Sequence, residues 1–365
     1  MATSDLESPP QRGGKPATLD DVAALARVSP KTVSRVVNRE SGVHSDTRER
    51  VLRAIEMLDY KPNLGARMLA GDRSYTIGLF CERPGDYLSV FQAGATDRCR
   101  ESGHYLVLEE WHRDSPNAVR HVSALLRQLR PDGVILMPPL SDDRLLCNIL
   151  RDASVPMVRI APRQPSVDAP SIGIDDYLAA RQLTAHLLGL GHRRIAFMRG
   201  KPDHGATEQR YRGFTDEMSD QNTPVEPTLI ETGNFAFSDG VECAERLLSA
   251  AIPPSAIFAS NDDMAAAVVS VGHRMGLDLP RDLSVVGFDD APVATMIWPL
   301  LTTVRQPVAK MARHAAGLII DHCPRRYGWP PSVANTVFEF ELVIRDSTSA
   351  PHHAQTVRSG PGRKS

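Results

Sequence analysis

A short segment near the N-terminus carries polar side chains that suit hydrogen bonding to the base edges and phosphates of nucleic acids. On a helix that begins at Pro30, the cationic, hydroxyl and amide side chains would share one face: Lys31, Ser34, Arg35 and Asn38. Val33 and Val36 would lie on the opposite face and be buried. A helix of this size fits the major groove, so the spacing indicates DNA binding. A three-helix bundle with a solvated basic face is the alternative interpretation.

Flanking signals predict the helices that would position this face. Thr18 and Asp21 have capping-box spacing ahead of a first helix. Ser29 is a suitable N-cap for the second helix, and Pro30 occupies its first position, where proline is tolerated. A third helix is predicted to begin at Ser45, with its apolar side chains at helical spacing: Val51, Leu52, Ile55 and Leu58.

The charge distribution favours a polyanionic partner for this region. Residues 27–53 hold seven arginine and lysine side chains against three acidic ones, whereas the whole chain has a formal net charge of −2. A local basic patch on a nearly neutral protein is typical of nucleic-acid binding.

From Tyr75 onward, short β-branched runs alternate with amphipathic helical stretches. This alternation predicts parallel sheets covered on both faces, and the number of elements predicts two doubly wound subdomains. The predicted strands are 75–80, 104–109, 133–137, 155–160, 194–199, 255–259 and 283–288. Helices are predicted near 88–102, 116–129, 142–152, 176–190, 209–219, 240–250 and 262–275.

Composition and motifs argue against several function classes. The polar, Pro/Gly-rich start lacks an apolar signal-peptide core, and no apolar run reaches the roughly 20 residues of a membrane span. The five cysteines are scattered and lack CxxC spacing, so we expect reduced thiols, a cytoplasmic protein, and neither a metal site nor a cofactor. No nucleophile elbow, Walker A or HExxH motif is present, and we therefore expect no enzymatic activity.

Longer motifs are similar to those of the lactose-repressor (LacI/GalR) family of bacterial transcription regulators. In the N-terminal part these are TLDDVAALARVS, KTVSRVVN, SDTRERVLRAIEMLDYKPN and ARMLA. Further along the chain they are SIGIDDYLAARQLTAHLLGLGHRRIAF, QRYRGF, IFASNDDMAAAVV, LSVVGFDD and PLLTTVRQP. The resemblance covers residues 18–345.

This resemblance implies an all-α helix-turn-helix headpiece with a hinge helix, followed by an α/β effector domain like the periplasmic binding proteins. The expected boundaries are a headpiece at 18–61, a hinge helix and linker at 62–72, and an effector and dimerisation domain at 73–345. Within the last, the N-subdomain would comprise about 75–174 and 306–331, and the C-subdomain about 175–305 and 332–345. Residues 1–17 and 346–365 are predicted to be a disordered arm and a disordered tail.

The resemblance also implies DNA-contacting residues. Base-reading positions would be Pro30, Lys31 and Arg35, and phosphate-contacting positions would be Thr32, Ser34 and Asn38. In the hinge, Leu69 matches the leucine that wedges into the minor groove, beside Asn63 and Arg67. The alternative is that residues 62–70 are only a linker.

Effector-contacting residues are implied in the same way, and each follows or lies in a predicted strand. On one wall these are Arg210, Asn261, Asp289 and Phe235, and on the other Glu82, Tyr87 and Arg159. A carboxylate, a carboxamide, a guanidinium and an aromatic ring suit a carbohydrate. Asp289 could instead cap a loop, and Phe235 could belong to the core. Arg159 could select an acidic or phosphorylated ligand, or pair with Asp175 or Asp176.

Together these features predict a cytoplasmic, nucleoid-associated homodimer that binds palindromic double-stranded operator DNA and represses carbohydrate genes under control of a sugar. A non-sugar effector, such as a nucleobase or an acidic or phosphorylated metabolite, remains the alternative. Two other functions also stay open: a small-molecule binder without DNA activity, and a regulator without ligand control.

Overall fold

The computed structural model describes residues 17–37, 42–60, 73–82, 85–112, 115–166, 168–322, 329 and 335–352. The chain divides into two compact units, Met1–Ser74 and Tyr75–Ser365. We describe each unit by itself.

The first unit contains three short helices: α1 (Leu19–Ala26), α2 (Pro30–Val37) and α3 (Ser45–Met57). The predicted capping box is present, because the Thr18 backbone N–H donates to Asp21 Oδ2 (2.9 Å) and the Asp21 N–H donates to Thr18 Oγ1 (3.3 Å). Arg27 ends α1 in the left-handed conformation. The Thr32 N–H donates to Ser29 Oγ (3.2 Å), so Ser29 caps α2 as predicted.

The core of this unit is formed by apolar side chains of all three helices and of the segment after α3: Val22, Ala26, Val33, Val36, Val51, Ala54 and Tyr60. Leu52 was expected in this core but is 51% exposed. Val51 and Ala54 occupy the side of α3 that faces α1 and α2. Leu52, which follows Val51, therefore points outward. The packing leaves the polar face of α2 in solvent.

The second unit is built on two parallel sheets and a two-stranded antiparallel sheet formed by β10 and β12. The six-stranded sheet has the order β11-β5-β4-β3-β1-β2, and the four-stranded sheet has the order β7-β6-β8-β9. Its strands are β1 Thr76–Cys81, β2 Tyr105–Glu110, β3 Gly133–Leu136, β4 Met157–Ile160, β5 Ser171–Ile174, β6 Ile195–Arg199, β7 Ile230–Thr232, β8 Ala256–Ala259, β9 Ser284–Val286, β10 Thr303–Arg305, β11 Thr336–Phe338 and β12 Glu341–Val343.

Helices cover both faces of each sheet. They are α4 Asp86–Glu101, α5 Ala118–Leu129, α6 Arg144–Asp152, α7 Asp176–Gly189, α8 Gly205–Asp220, α9 Phe237–Leu248, α10 Asp262–Arg274 and α11 Val308–His322. We call the six-stranded sheet with α4, α5, α6 and α11 the N-subdomain, and the four-stranded sheet with α7 to α10 the C-subdomain. Residues of the inner strands β1, β3, β6 and β8 are buried on both faces, as expected for parallel sheets between helices, whereas the edge strands β2, β7 and β11 are partly exposed.

The chain passes between the subdomains three times. β5 ends at Ile174 and β10 ends at Arg305, beside the first two predicted crossings near 174 and 305. The third crossing was predicted near 332, which is wrong. Thr336–Phe338 still pairs with β5 of the N-subdomain, and only Glu341–Val343 pairs with β10. The crossing therefore lies between these two three-residue strands, which are too short to leave a clear sequence pattern.

The start of the predicted disordered tail is also ordered. Ser347 is 1% exposed, and its hydroxyl donates to the Val285 carbonyl (2.6 Å) and accepts from the Thr302 N–H (2.8 Å). The Ser349 carbonyl accepts from His192 Nε2 (2.9 Å). Polar residues that look like tail are thus held by backbone groups at the edge of the C-subdomain. Among the described residues, no helix is long and apolar enough to cross a membrane.

Candidate functional site

The predicted DNA-reading face lies on α2. Lys31 and Arg35 are exposed one helical turn apart, whereas Val33 and Val36 are buried on the other side. Pro30 begins the helix and is exposed, and Thr32 and Ser34 are half-buried. The predicted positions Asn38, Asn63, Arg67 and Leu69 lie outside the described residues.

The second unit contains a cavity of about 380 Å³ at the carboxyl ends of strands from both sheets. We call it the inter-sheet cavity. Its volume is in the range of small-molecule sites. Six of the seven predicted effector-contacting residues line it: Glu82, Tyr87, Arg210, Phe235, Asn261 and Asp289. The expectation that residues following strands would converge is therefore met for these six.

Arg210 anchors the C-subdomain wall of the cavity. It lies in α8 and is only 4% exposed. Its Nε donates to Asp176 Oδ1 (2.8 Å), and its guanidinium also donates to the Ser260 carbonyl. The guanidinium carbon lies 3.6 Å from the centroid of the Phe288 ring. Burial lowers the pKa of Arg210, but Asp176 and Asp289 raise it above its ordinary value. The guanidinium therefore stays positively charged.

Asp289 lies beside this cation, next to Phe288 in the loop that follows β9. Its backbone has φ of 111°, a conformation that is rare for a non-glycine residue. Asp289 Oδ1 accepts from Gln306 Nε2 (2.7 Å) and lies 3.5 Å from an Arg210 nitrogen. Burial raises the pKa of Asp289 to about 7, against the lowering effects of Arg210 and Gln306. The carboxyl can therefore accept or donate hydrogen bonds near neutral pH.

Asn261 positions the aromatic residue of the same wall. It caps α10 through its Oδ1, which accepts from the Met264 N–H (3.1 Å), and its Nδ2 donates to the Phe235 carbonyl (3.0 Å). Phe235 has φ of 60°, and its ring lies directly over Gly200, where a Cβ would come within 1.9 Å of the ring. The predicted alternative of Phe235 as a core residue is partly true, since one ring face packs on the C-subdomain while the residue also lines the cavity.

His204 is a cavity residue that sequence reasoning passed over. Its ring centroid lies 4.8 Å from that of Phe235. Burial, followed by the charges of Arg210 and Lys201, lowers the pKa of His204 to about 3, so the imidazole is neutral. Its Nδ1 is buried and has no hydrogen-bond partner among the described atoms.

The N-subdomain wall contributes Glu82 and Tyr87. Both oxygens of Glu82 accept from Lys201 Nζ, at 2.6 and 2.7 Å, and this ion pair joins the loops after β1 and β6 across the cavity. Burial, Asp289 and Asp176 raise the pKa of Tyr87, so its hydroxyl stays protonated and faces the carboxylates.

Arg159 does not line the cavity, which corrects that prediction. Its Nη2 donates to Asp142 Oδ1 (3.0 Å) and its Nε donates to the Ser141 carbonyl. The suggested partners Asp175 and Asp176 are wrong as well. Alternation along β4 explains this, because Val158 and Ile160 point towards α4 and α11 and Arg159 points towards the opposite face.

Other cavity residues were missed although the same positional rule could have found them. Each of these polar residues closely follows a strand: Asp86, Asp176, Lys201, His204, Asp263 and Gln306. Five carboxylates and two cations therefore line the cavity among the described residues. Such a set can bind hydroxyl and N–H groups but is unfavourable for an anion.

Comparison with known proteins first defines the class. Residues 18–63 match the family described as bacterial regulatory proteins, lacI family, and residues 184–348 match a periplasmic binding protein-like domain. The helix-turn-helix unit and the two-sheet unit are thus those of a DNA-binding regulator with a binding-protein-like domain.

Individual proteins resemble nearly the whole chain. The HTH-type transcriptional repressor PurR of Haemophilus influenzae (strain PittEE) is 30% identical over 337 residues, covering 92% of this chain and 99% of that protein. The structure of the transcriptional regulator CelR–cellobiose complex is 32% identical with a TM-score of 0.69, covering 91% of this chain and 99% of that one. The lac repressor dimer bound to operator and the anti-inducer ONPF is 28% identical with a TM-score of 0.70, covering 92% and 100%.

The chain therefore belongs to the lacI family of bacterial regulatory proteins. It is a DNA-binding transcriptional regulator, and family membership agrees with the expectation that it is not an enzyme.

Proposed function

We propose that this regulator is a repressor that acts as a cytoplasmic homodimer on a palindromic operator and is controlled by a carbohydrate in the inter-sheet cavity. The observation that carries the proposal is that one chain contains both an exposed face with Lys31 and Arg35 and an inter-sheet cavity lined by polar side chains. A protein that only bound a small molecule would not need the first, and a constitutive DNA binder would not need the second.

The chemistry of the cavity supports a sugar. Arg210, Asp289 and Asn261 offer charged and amide groups for adjacent hydroxyls, and Phe235 offers a ring for the apolar face of a pyranose. The cellobiose-bound relative, at 32% identity, points the same way. An acidic or phosphorylated ligand is disfavoured, because Arg159 lies elsewhere and both cavity cations already pair with carboxylates. A nucleobase remains the alternative.

For DNA, we propose that Pro30, Lys31 and Arg35 contact bases and that Thr32, Ser34 and Asn38 hold phosphates. Asn63, Arg67 and Leu69 would act in the minor groove. Two such headpieces in a dimer would read two related half-sites.

Control by a ligand requires that it bind two states with different affinity. The inter-sheet cavity has walls from both subdomains, and a ligand that contacts both walls favours the closed arrangement. We propose that this arrangement changes the spacing of the two headpieces in the dimer. We propose that the sugar weakens operator binding and so releases the protein from the operator.

The DNA-binding part is tested by electrophoretic mobility shift with full-length protein and DNA fragments selected from a random pool. We expect an enriched, approximately palindromic site whose binding weakens steeply with salt. Absence of binding even at low salt would refute the regulator proposal.

The ligand part is tested by thermal shift against sugars and nucleobases, followed by mobility shift with each ligand that binds. A ligand at 100 times its Kd stabilises the folded chain by about 2.7 kcal/mol, which is readily detected. A binder that leaves operator affinity unchanged would contradict ligand control.

A further inference from the structure

Two carboxylates face the inter-sheet cavity from opposite subdomains without a cationic partner. Asp86 lies in the first turn of α4, after β1, and Asp263 lies in the first turn of α10, after β8. Both line the cavity. Neither side chain makes a hydrogen bond or ion pair within the part of the chain that the structure describes.

Helix capping does not account for this placement. A carboxylate in the first turn of a helix is ordinarily stabilised by the helix dipole, which lowers its pKa. The pKa of Asp263 is instead raised, by burial and then by the charge of Asp86. Ionised Asp263 therefore costs folding free energy in the ligand-free protein, while Asp86 is exposed at the other wall of the cavity.

The cations of the cavity are already committed to other groups. Lys201 Nζ donates to both oxygens of Glu82. Arg210 donates to Asp176 and Ser260 and lies beside Asp289. Arg83, which follows Glu82 in the sequence, lies outside the described residues.

A second, independent feature indicates that a polar partner is missing from the cavity. The neutral imidazole of His204 has a buried Nδ1 without a partner among the described atoms. Buried polar atoms of this kind ordinarily have a partner, so the orphan nitrogen points to a group supplied by a ligand. Phe235, whose ring lies beside His204, adds an aromatic face that attracts cations.

We propose that the effector carries an ammonium group that binds between Asp86 and Asp263, so that the ligand class is an amine-bearing sugar rather than a neutral one. The positive charge removes the repulsion between the two carboxylates. It thereby draws the N- and C-subdomain walls together around the ligand. This inference rests on the proposed function, since it names the ligand of the same cavity.

The test uses full-length protein and matched ligand pairs in isothermal titration calorimetry. Glucosamine, galactosamine, mannosamine and the β-1,4-linked glucosamine disaccharide are compared with glucose, galactose, mannose and cellobiose, and glucose 6-phosphate serves as the anion. We expect at least one amine to bind about tenfold or more tightly than its hydroxyl counterpart, as for hydrogen bonds to charged groups.

Variants locate the effect. Asp263→Asn and Asp86→Asn should each abolish the preference for the amine, and Asp263→Asn should also raise the melting temperature of the ligand-free protein. Asp239→Asn is the matched control, because Asp239 also lies in the first turn of a helix, α9, but does not line the cavity. It should leave the preference intact.

Two outcomes would overturn the inference: tightest binding of a neutral or anionic ligand that Asp263→Asn leaves unchanged, or no binding of any amine in the series. Neither would affect the proposed function, which fails only if operator binding or its response to every ligand is absent.

Discussion

Asp289 shows how one residue can make ligand binding depend on pH. It sits after β9 with φ of 111°, beside a buried arginine, in a site where a carboxylate is poorly solvated. Its ionisation costs folding free energy, and this cost grows as the pH rises from about 4 towards about 7. Ligand hydroxyl and ammonium groups, by contrast, donate stronger hydrogen bonds to the ionised form.

We therefore predict that the effector binds more weakly at low pH. With a pKa of about 7, the ionised fraction of Asp289 falls about tenfold between pH 8 and pH 6, and affinity should fall with it. Calorimetry across this range measures the effect. Asp289→Asn should bind weakly and with a flat profile, and a steep profile in that variant would assign the titration to another group. His204 does not interfere, because its pKa is about 3.

Arg35 carries a prediction for DNA. Arg35→Ala should relax discrimination at one base pair of each half-site, at a cost of about 1–3 kcal/mol for the preferred base. Mobility shifts with operators substituted at each position give the measurement. Equal weakening for all operators would instead make Arg35 a phosphate contact.

Residue by residue, the sequence predicted the cavity well wherever position after a strand decided the outcome. Asn261 and Asp289 follow strands, and the family resemblance implied both of them and also Arg210, which lies within α8. Arg159 failed because it lies within β4, where strand alternation decides the direction of the side chain. Lys201 and His204 also follow a strand, β6, but so do many loop residues, and a lone lysine or histidine has no spacing that singles it out.

At the scale of elements, the loop between β6 and α8 joins the two walls of the cavity. Its Lys201 pairs with Glu82, and its Pro202 carbonyl accepts from Arg163 Nη2 (3.1 Å). The Arg163 N–H in turn donates to Asp142 (2.8 Å), the residue that Arg159 holds. Arg159 thus supports contact between the subdomains, although it does not touch the cavity.

Gly205 at the start of α8 allows this close approach. A Cβ there would lie 2.6 Å from the Arg163 backbone nitrogen. Gly205→Ala should therefore push the two walls of the cavity apart by a few tenths of an ångström, because the packed contact has no room for the added methyl group. We expect effector binding to weaken about tenfold or more. Calorimetry measures it.

Gly189→Ala is the matched control for Gly205→Ala. Gly189 ends α7, and a Cβ there meets nothing within 4 Å. This variant should keep wild-type affinity and gain up to about 1 kcal/mol of stability, because alanine favours the helix. Similar loss of binding in both variants would show that the Gly205 contact is not the cause.

Element boundaries were predicted best where local chemistry marks them. The capping box at Thr18 and the Ser29–Pro30 start of α2 are examples. The two short strands β11 and β12 could not be separated in advance, because three residues carry no periodicity and their partners lie far away in the sequence.

For the whole molecule, we predict that DNA binding is dominated by charge around α2 and α3. Arg50→Gln, which removes one charge from the basic region 27–53, should weaken binding to every operator and lower the salt dependence by about one counterion per half-site. Plots of log affinity against log salt concentration give the slope. Lys310→Gln, in α11 of the second unit, is the control and should leave the slope unchanged.

The threefold crossing of the chain also has a consequence for synthesis on the ribosome. The four-stranded sheet and α7 to α10 come from one continuous stretch of the chain, residues 176–286, and β12 with the segment after it joins the C-subdomain last. The N-subdomain, although it begins first, lacks α11 and the edge strand β11 until residue 338 has been translated. The later half of the nascent chain can therefore complete its sheet before the earlier half does. The face of β3 and β4 on which α11 packs stays uncovered during that interval, and it is an apolar surface of the kind that chaperones bind.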